Sequence, residues 1–195
     1  MCMKSILTLL AFVIIVSLTS CSHYKEKVVQ SMDNTDRPSW ASLAKTHFKK
    51  DGKIYFVGFT ENKGNARISS VIKISDNLAR HEIAKVVANN MNYIYQNAEE
   101  GIDTGGEFTR FYGSEVSGYL AQDIYTEERY WEKVVVPKDE NEKELRVRAY
   151  SLVSVKQTDL KKALREVMNK DKSLSPQLRQ QIDLHMKKMV ENLGT

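Results

Sequence analysis

The sequence predicts an α+β fold: a long helix packed on a small antiparallel sheet, with further helices at the C-terminal end. Three observations carry this. From Ala66 to about Ala98, apolar residues recur at three- and four-residue steps, the stripe of an amphipathic helix. Ile54–Phe59 and Leu145–Val155 are rich in aromatic and β-branched residues, and the second alternates with a period of two, as half-buried strands do. After Val155, two shorter stripes of helical spacing complete the chain.

The folded part is expected to open at Pro38-Ser39-Trp40, with Trp40, Leu43 and Phe48 as an apolar flap. Asp51-Gly52 is a turn signal. Gly58, near the end of the Ile54–Phe59 strand, marks a bulge or a close backbone approach. Thr60–Asn65 reads as a loop and Asn65 as a helix cap. Ile68, Val71, Ile72, Ala79, Ile83, Val86, Val87 and Ile94 form the long stripe, although Val86–Tyr95 would also suit a strand. Gly101–Gly106 is expected to be a loop. Phe108, Phe111, Tyr112, Val116 and Tyr119 mark a short helix broken near Gly113 or Gly118. Leu120–Trp131 reads as a strand, with Ile124 and Tyr130 on one face. Pro137–Lys143 is a polar hairpin loop leading to the alternating strand Leu145–Val155, its antiparallel neighbour. The first C-terminal helix, capped by Thr158 or Asp159, buries Leu160, Leu164, Val167 and Met168. The second starts at Ser175-Pro176, buries Leu178, Ile182, Met186, Met189, Val190 and Leu193, and stops at Gly194.

Residues 1–20 belong to no domain. Lys4 is followed by an apolar run, Ile6–Leu18, and then by small residues, the order of a secretory signal peptide. Thirteen residues at ~1.5 Å each cover about 20 Å, short of the ~30 Å hydrocarbon core, so a permanent span is disfavoured. Leu18-Thr19-Ser20-Cys21 resembles the lipobox of bacterial lipoproteins. The resemblance implies cleavage before Cys21, a diacylglyceryl thioether on its sulfur and acylation of its new amine. Ser22 rather than Asp at the next position favours, by the same resemblance, the outer membrane. Ser22–Arg37 is polar apart from Val28-Val29. With Cys21 it reads as a flexible tether, 21–37, about 20–25 Å long on average and up to about 55 Å extended. The remainder, 38–195, is a single domain with a C-terminal helical extension.

Removing the leader takes one charge, Lys4, and lowers the net charge from +4 to +3. Both signs are dispersed, which gives no basis for a nucleic-acid partner. Cys2 and Cys21 are the two cysteines, so the domain has no disulfide and is stabilised by burial. No cofactor or metal is expected. His81-Glu82-Ile83-Ala84-Lys85 has Lys where a zinc helix needs its second His. Ser114 lacks the second glycine of a nucleophile elbow, and Asp139–Glu142 lacks the loop glycine of a calcium site. Lys161, Lys162 and Arg165 share a helix face, read as solvated. Met186, Met189 and Val190 are read as core, with a contact to a second copy as the alternative.

The order Pro38-Ser39-Trp40, Tyr55-Phe56-Val57-Gly58, Leu78-Ala79-Arg80 and Tyr150–Val155 resembles the twenty-kilodalton outer-membrane lipoprotein (LPP-twenty-like) family and related flagellum-associated lipoproteins, over about 38–168. Ile68, Val71 and Ile72 stand where that family favours alanines, and the second C-terminal helix is additional. The resemblance implies an α+β domain without catalytic residues. The expectation is a non-enzymatic outer-membrane lipoprotein, anchored by acyl chains on Cys21, acting as a structural or interaction module with an envelope or flagellar partner. Alternatives are an activator of a peptidoglycan-synthesis enzyme and an envelope hydrolase with a site assembled from scattered residues.

Overall fold

The structure, a computed structural model, describes residues 26–42, 46–97, 105–139, 142–172 and 175–192. Five strands and four α-helices are present among these: β1 (Lys27–Ser31), β2 (His47–Lys50), β3 (Lys53–Lys63), α1 (Ile68–Asn97), α2 (Gly105–Leu120), β4 (Tyr125–Pro137), β5 (Lys143–Lys156), α3 (Gln157–Lys170) and α4 (Pro176–Asn192). The strands form one sheet, ordered β1-β4-β5-β3-β2, with every pair antiparallel. This is the α+β fold that the sequence predicts, with α1 packed on the sheet and two C-terminal helices.

Period two sorts β5 into two faces. Val147, Ala149, Ser151, Val153 and Val155 point to the helices and are all buried. Their partners Ile54 and Phe56 on β3 join Ile83, Val87 and Met91 of α1, Tyr112, Val116 and Leu120 of α2, Leu160 and Leu164 of α3, and Ile182, Met186 and Val190 of α4 in one core. A smaller cluster at the start of α1 packs Val71 on Val147 and Ala149, flanked by Ile68, Ile72 and Trp131. Met186 and Val190 are therefore core residues, as read. The side chains of Ile94, Phe108, Leu178 and Met189 lie outside the described residues, as do Leu43, Leu193 and Gly194.

Two glycines set how closely the layers approach. A Cβ on Gly58 would overlap the Ser75 carbonyl oxygen and the Ala79 amide nitrogen, and would lie 2.8 Å from the Ala79 Cβ. The predicted close approach is thus made by the α1 backbone, without a bulge. Gly113 and Gly118, either of which was expected to break the helix, both lie inside a continuous α2. A Cβ on Gly113 would sit 3.1 Å from Ala88 Cβ and 3.2 Å from Ala84 O, so small residues on both helices permit the α1–α2 contact.

Several expected boundaries move. β3 runs on to Lys63, through the predicted Thr60–Asn65 loop, because Glu61, Asn62 and Lys63 pair with Arg148, Val147 and Arg146. The Arg67 carbonyl takes the first α1 bond from the Val71 amide, so the cap position is Arg67, not Asn65. Helix continues through Val86–Tyr95, since Val86, Val87 and Met91 keep facing the core. Gly105-Gly106 begins α2 rather than ending a loop. Leu120 ends α2, and β4 starts only at Tyr125. Lys156, with no side-chain bond, precedes α3 instead of Thr158 or Asp159. The Asp51-Gly52 turn and the polar hairpin between Pro137 and Lys143 stand as read. Asp51 and Gly52 have φ of 50° and 74°, both left-handed, as a two-residue hairpin requires. Ser175 accepts the Arg179 amide at the start of α4.

The largest correction concerns the tether. β1 lies within 21–37 and pairs with β4 from Lys27↔Val135 to Ser31↔Glu132. The folded part begins at least by Glu26, twelve residues before Pro38. Val28 and Val29, an unexplained apolar pair in a polar stretch, belong to an edge strand.

Candidate functional site

The face of the sheet turned away from the helices is built in rungs. Phe59, Tyr150 and Tyr130 stand in register on β3, β5 and β4, with ring centroids 5.0 Å and 6.2 Å apart. The next rung is Glu61, Arg148 and Glu132. An aromatic rung beside a charged one is an unstable surface unless something covers it, because Glu132 is fully buried and a buried charge needs a partner.

Residues 32–42 supply the cover. Met32, Trp40 and Ala41 close over the aromatic rung. Arg37 forms an ion pair with Glu132 through two hydrogen bonds and lies 5.6 Å from the Tyr150 ring centroid, within cation–π range. Burial, the largest single influence, pulls the Arg37 pKa down, but the Glu132 hydrogen bond and the attraction of the Tyr150 and Glu132 oxygens together outweigh it and the net shift is upward. Tyr130 donates to the Thr35 carbonyl at 3.3 Å, and the Trp40 indole donates to Glu128 at 2.6 Å. Of the expected flap of Trp40, Leu43 and Phe48, only Trp40 is seen in this cover; Phe48 belongs to β2 and stacks on Tyr55, and Leu43 lies outside the described residues.

Just before β1, Glu26 receives two hydrogen bonds from Arg148, 2.6 and 2.8 Å long, while Arg148 also donates to Glu61 at 2.6 Å. The first of these bonds, with the positive charge, holds the Glu26 carboxyl below its usual range. The chain is thus tied to the middle of the sheet five residues after Cys21.

On the helix face, Ser151 donates to Asp76 at 2.6 Å, Arg129 grips the same carboxylate at 3.0 Å, and Ser75 lies 2.7 Å from Ser151. This polar seam fixes α1 in register on β4 and β5. The Lys53 bond to Glu127, with Ser154 donating to the same oxygen, draws the Glu127 carboxyl down.

Tyr150 is an exception among these satisfied groups. Its hydroxyl is buried with no hydrogen-bond partner, and burial raises its pKa. Because an unsatisfied buried hydroxyl costs about 1 kcal/mol or more, Tyr150→Phe is expected to raise stability by about 1 kcal/mol. Urea unfolding measures this; a loss of stability would show that the hydroxyl is bonded.

The residues singled out in the sequence do not converge. Cys21, the lipidation candidate, lies outside the described residues, as does His23. His81 is exposed on α1, and Glu82 pairs with Lys85 at 3.5 Å. His47 stacks on Phe56 on the edge strand. Ser114 is exposed on α2. Lys161 and Arg165 reach Glu191 and Asp183 on α4, so that basic face is partly spent inside the molecule. Among the described residues, no three His, Cys, Asp or Glu side chains gather as a metal site, and no helix is long and apolar enough to cross a membrane.

No family model and no curated protein matches this chain. The rungs and their cover were missed in the sequence because β4 was placed too early. Once Tyr130, Glu132 and Val134 are put on one face, a lone carboxylate between two core residues calls for a cation from elsewhere in the chain.

Proposed function

We propose that this protein is a non-enzymatic lipoprotein of the outer membrane, held by acyl chains on Cys21, whose α+β domain is a structural and interaction module of the cell envelope. The observation that carries the reading is the sequence Leu18-Thr19-Ser20-Cys21 at the end of a thirteen-residue apolar run. One acyl chain binds a bilayer only marginally, whereas two or more on one residue hold it stably. The resemblance to the LPP-twenty-like family supports the same assignment.

The fold bears on the choice among the alternatives. With Glu26 fastened to Arg148, Cys21 is five residues along the chain from that contact. Five Cα steps reach at most about 17 Å. A domain held that close is suited to partners at the membrane surface, such as envelope or motility components, and poorly suited to reaching through the cell wall to activate an inner-membrane synthase.

Cys21→Ala is expected to abolish acylation and leave the precursor uncleaved. Cells fed an alkyne palmitate analogue would show label on the wild-type protein and essentially none on the variant; equal label on both would overturn the proposal.

A further inference from the structure

We propose that β1 exchanges between copies of this chain, each copy seating residues 26–32 on the β4 edge of a neighbour. The structure shows what that edge accepts, because β1 already fills it from Lys27↔Val135 to Ser31↔Glu132. A second copy carries the same strand, so each contact made within one chain is available between two. β1 is also separable from the domain. Four of its five residues are exposed and none is buried, so it adds no side chain to the main core. Its attachments are backbone pairing to β4, Glu26 on Arg148 before it, and Met32 on the aromatic rung after it. All of these re-form on a neighbour. It is the first described element, so its exchange moves only the chain that precedes the turn at residues 33–34.

That turn is a strained hinge. Asp33 and Asn34 have φ of 53° and 52°, two successive non-glycine residues in the left-handed region, which Asp and Asn visit mainly singly and which is disfavoured for each. The turn is held by the Thr35 amide and hydroxyl, which donate to the Met32 carbonyl at 3.1 and 2.9 Å, and by the Ser31 hydroxyl, which donates to the Thr35 carbonyl at 2.7 Å. Both hydroxyl bonds are exposed to solvent, so water replaces them when the turn opens. Extending residues 33–34 relieves the backbone, and a short hinge under strain favours exchange. Beyond the hinge, Arg37 on Glu132 and Trp40 on Glu128 keep the rest of the cover on its own sheet. Acyl chains on Cys21, as proposed above, would hold the copies in one plane and raise their effective concentration, but the exchange does not require them.

Two full-length copies with different C-terminal tags are produced in the same cells, one carrying Lys27→Cys and the other Val135→Cys. Opposed Cα atoms of antiparallel strands lie about 4.5–5.5 Å apart, within disulfide range. The cells are oxidised and both tags are probed on non-reducing gels. The expected result is a disulfide-linked dimer carrying both tags, well above two controls: a wild-type pair, which reports the native cysteines, and Lys27→Cys with Tyr125→Cys, at the far end of β4. Asp33→Gly with Asn34→Gly in both copies is expected to lower that dimer about fivefold, because glycine removes the strain that opening relieves. Gln30→Cys with Lys133→Cys is a second opposed pair, should either first substitution disturb β1. Lys27→Cys and Val135→Cys placed in one chain show that the bond can form. Closure within that chain, with no mixed dimer from separate chains, would overturn the exchange. A mixed dimer at the level of the controls would overturn it as random collision, and one unchanged by the glycines would overturn it as a contact that leaves the hinge closed. Acylation of Cys21 is read separately with the palmitate analogue, so failure of the anchor leaves this test intact.

Discussion

Gly58→Val is expected to unfold the domain or to lower its stability by more than about 3 kcal/mol, beyond the usual range for overpacking. The reason lies in what the added atoms meet. At most core positions a new methyl group meets a side chain that can rotate. At Gly58 it meets the Ser75 carbonyl and the Ala79 amide of α1, which are backbone atoms of a 30-residue helix. Relief requires lifting α1 from β3. That would open the core around Ile54, Phe56 and Ile83 and pull Ser75 and Asp76 from Ser151. Since the overlap is with backbone, adding Ala79→Gly should restore little. Urea unfolding of Gly58→Val, with and without Ala79→Gly, measures both effects. Wild-type stability in Gly58→Val would mean that α1 does not cross the sheet at this point.

How far the sequence could be read follows from the same geometry. The alternation from Leu145 to Val155 was legible because β5 is central and its helix-facing residues from Val147 to Val155 are all buried, so the apolar period of two is clean there. α1 was legible because Val71, Ala79, Ile83 and Val87 all pack against the sheet, the first in the smaller cluster and the others in the main core. β4 was misplaced because three consecutive charged residues, Glu127, Glu128 and Arg129, stand at its start, and because a register shift between Thr126 and Glu128 breaks the period there. β1 was read as tether for a related reason. It is five residues long, lies at the sheet edge and is almost wholly exposed, so no apolar period is imposed on it. Its place is fixed by backbone pairing and by Glu26 reaching Arg148, a contact 122 residues apart in the chain. Gly113 misled because a glycine needed for helix contact looks the same, in sequence, as one that ends a helix. The polar fastening of residues 32–42 was invisible because Arg37 and Glu132 are 95 residues apart and neither is unusual locally.

That pair gives the second large effect, and an unequal one. The Glu132 side chain is completely buried, whereas 37% of the Arg37 side chain remains exposed. Removing Arg37 therefore strands a carboxylate that has no route to water, while removing Glu132 leaves a guanidinium that can turn outward. Arg37→Met should cost about 3 kcal/mol, in the range for breaking a buried pair from one side. Glu132→Leu should cost less, and the double variant Arg37→Met with Glu132→Leu should lie within about 1 kcal/mol of wild type, as apolar replacement of a buried pair often does. A double-mutant cycle by urea unfolding supplies all three numbers. The single Arg37 variant should also loosen the cover itself. Thr35, Trp40 and Ala41 bind the sheet through Tyr130, Glu128 and the aromatic rung, and without Arg37 between them these contacts lose their central tie. Hydrogen exchange across residues 33–42 should then rise in Arg37→Met while α3 and α4, on the opposite face, keep their protection. Equal costs for the two single variants would mean that Glu132 reaches solvent when unpaired. A rise in exchange spread evenly over both faces would mean that residues 32–42 are an inseparable part of the core rather than a fastened cover.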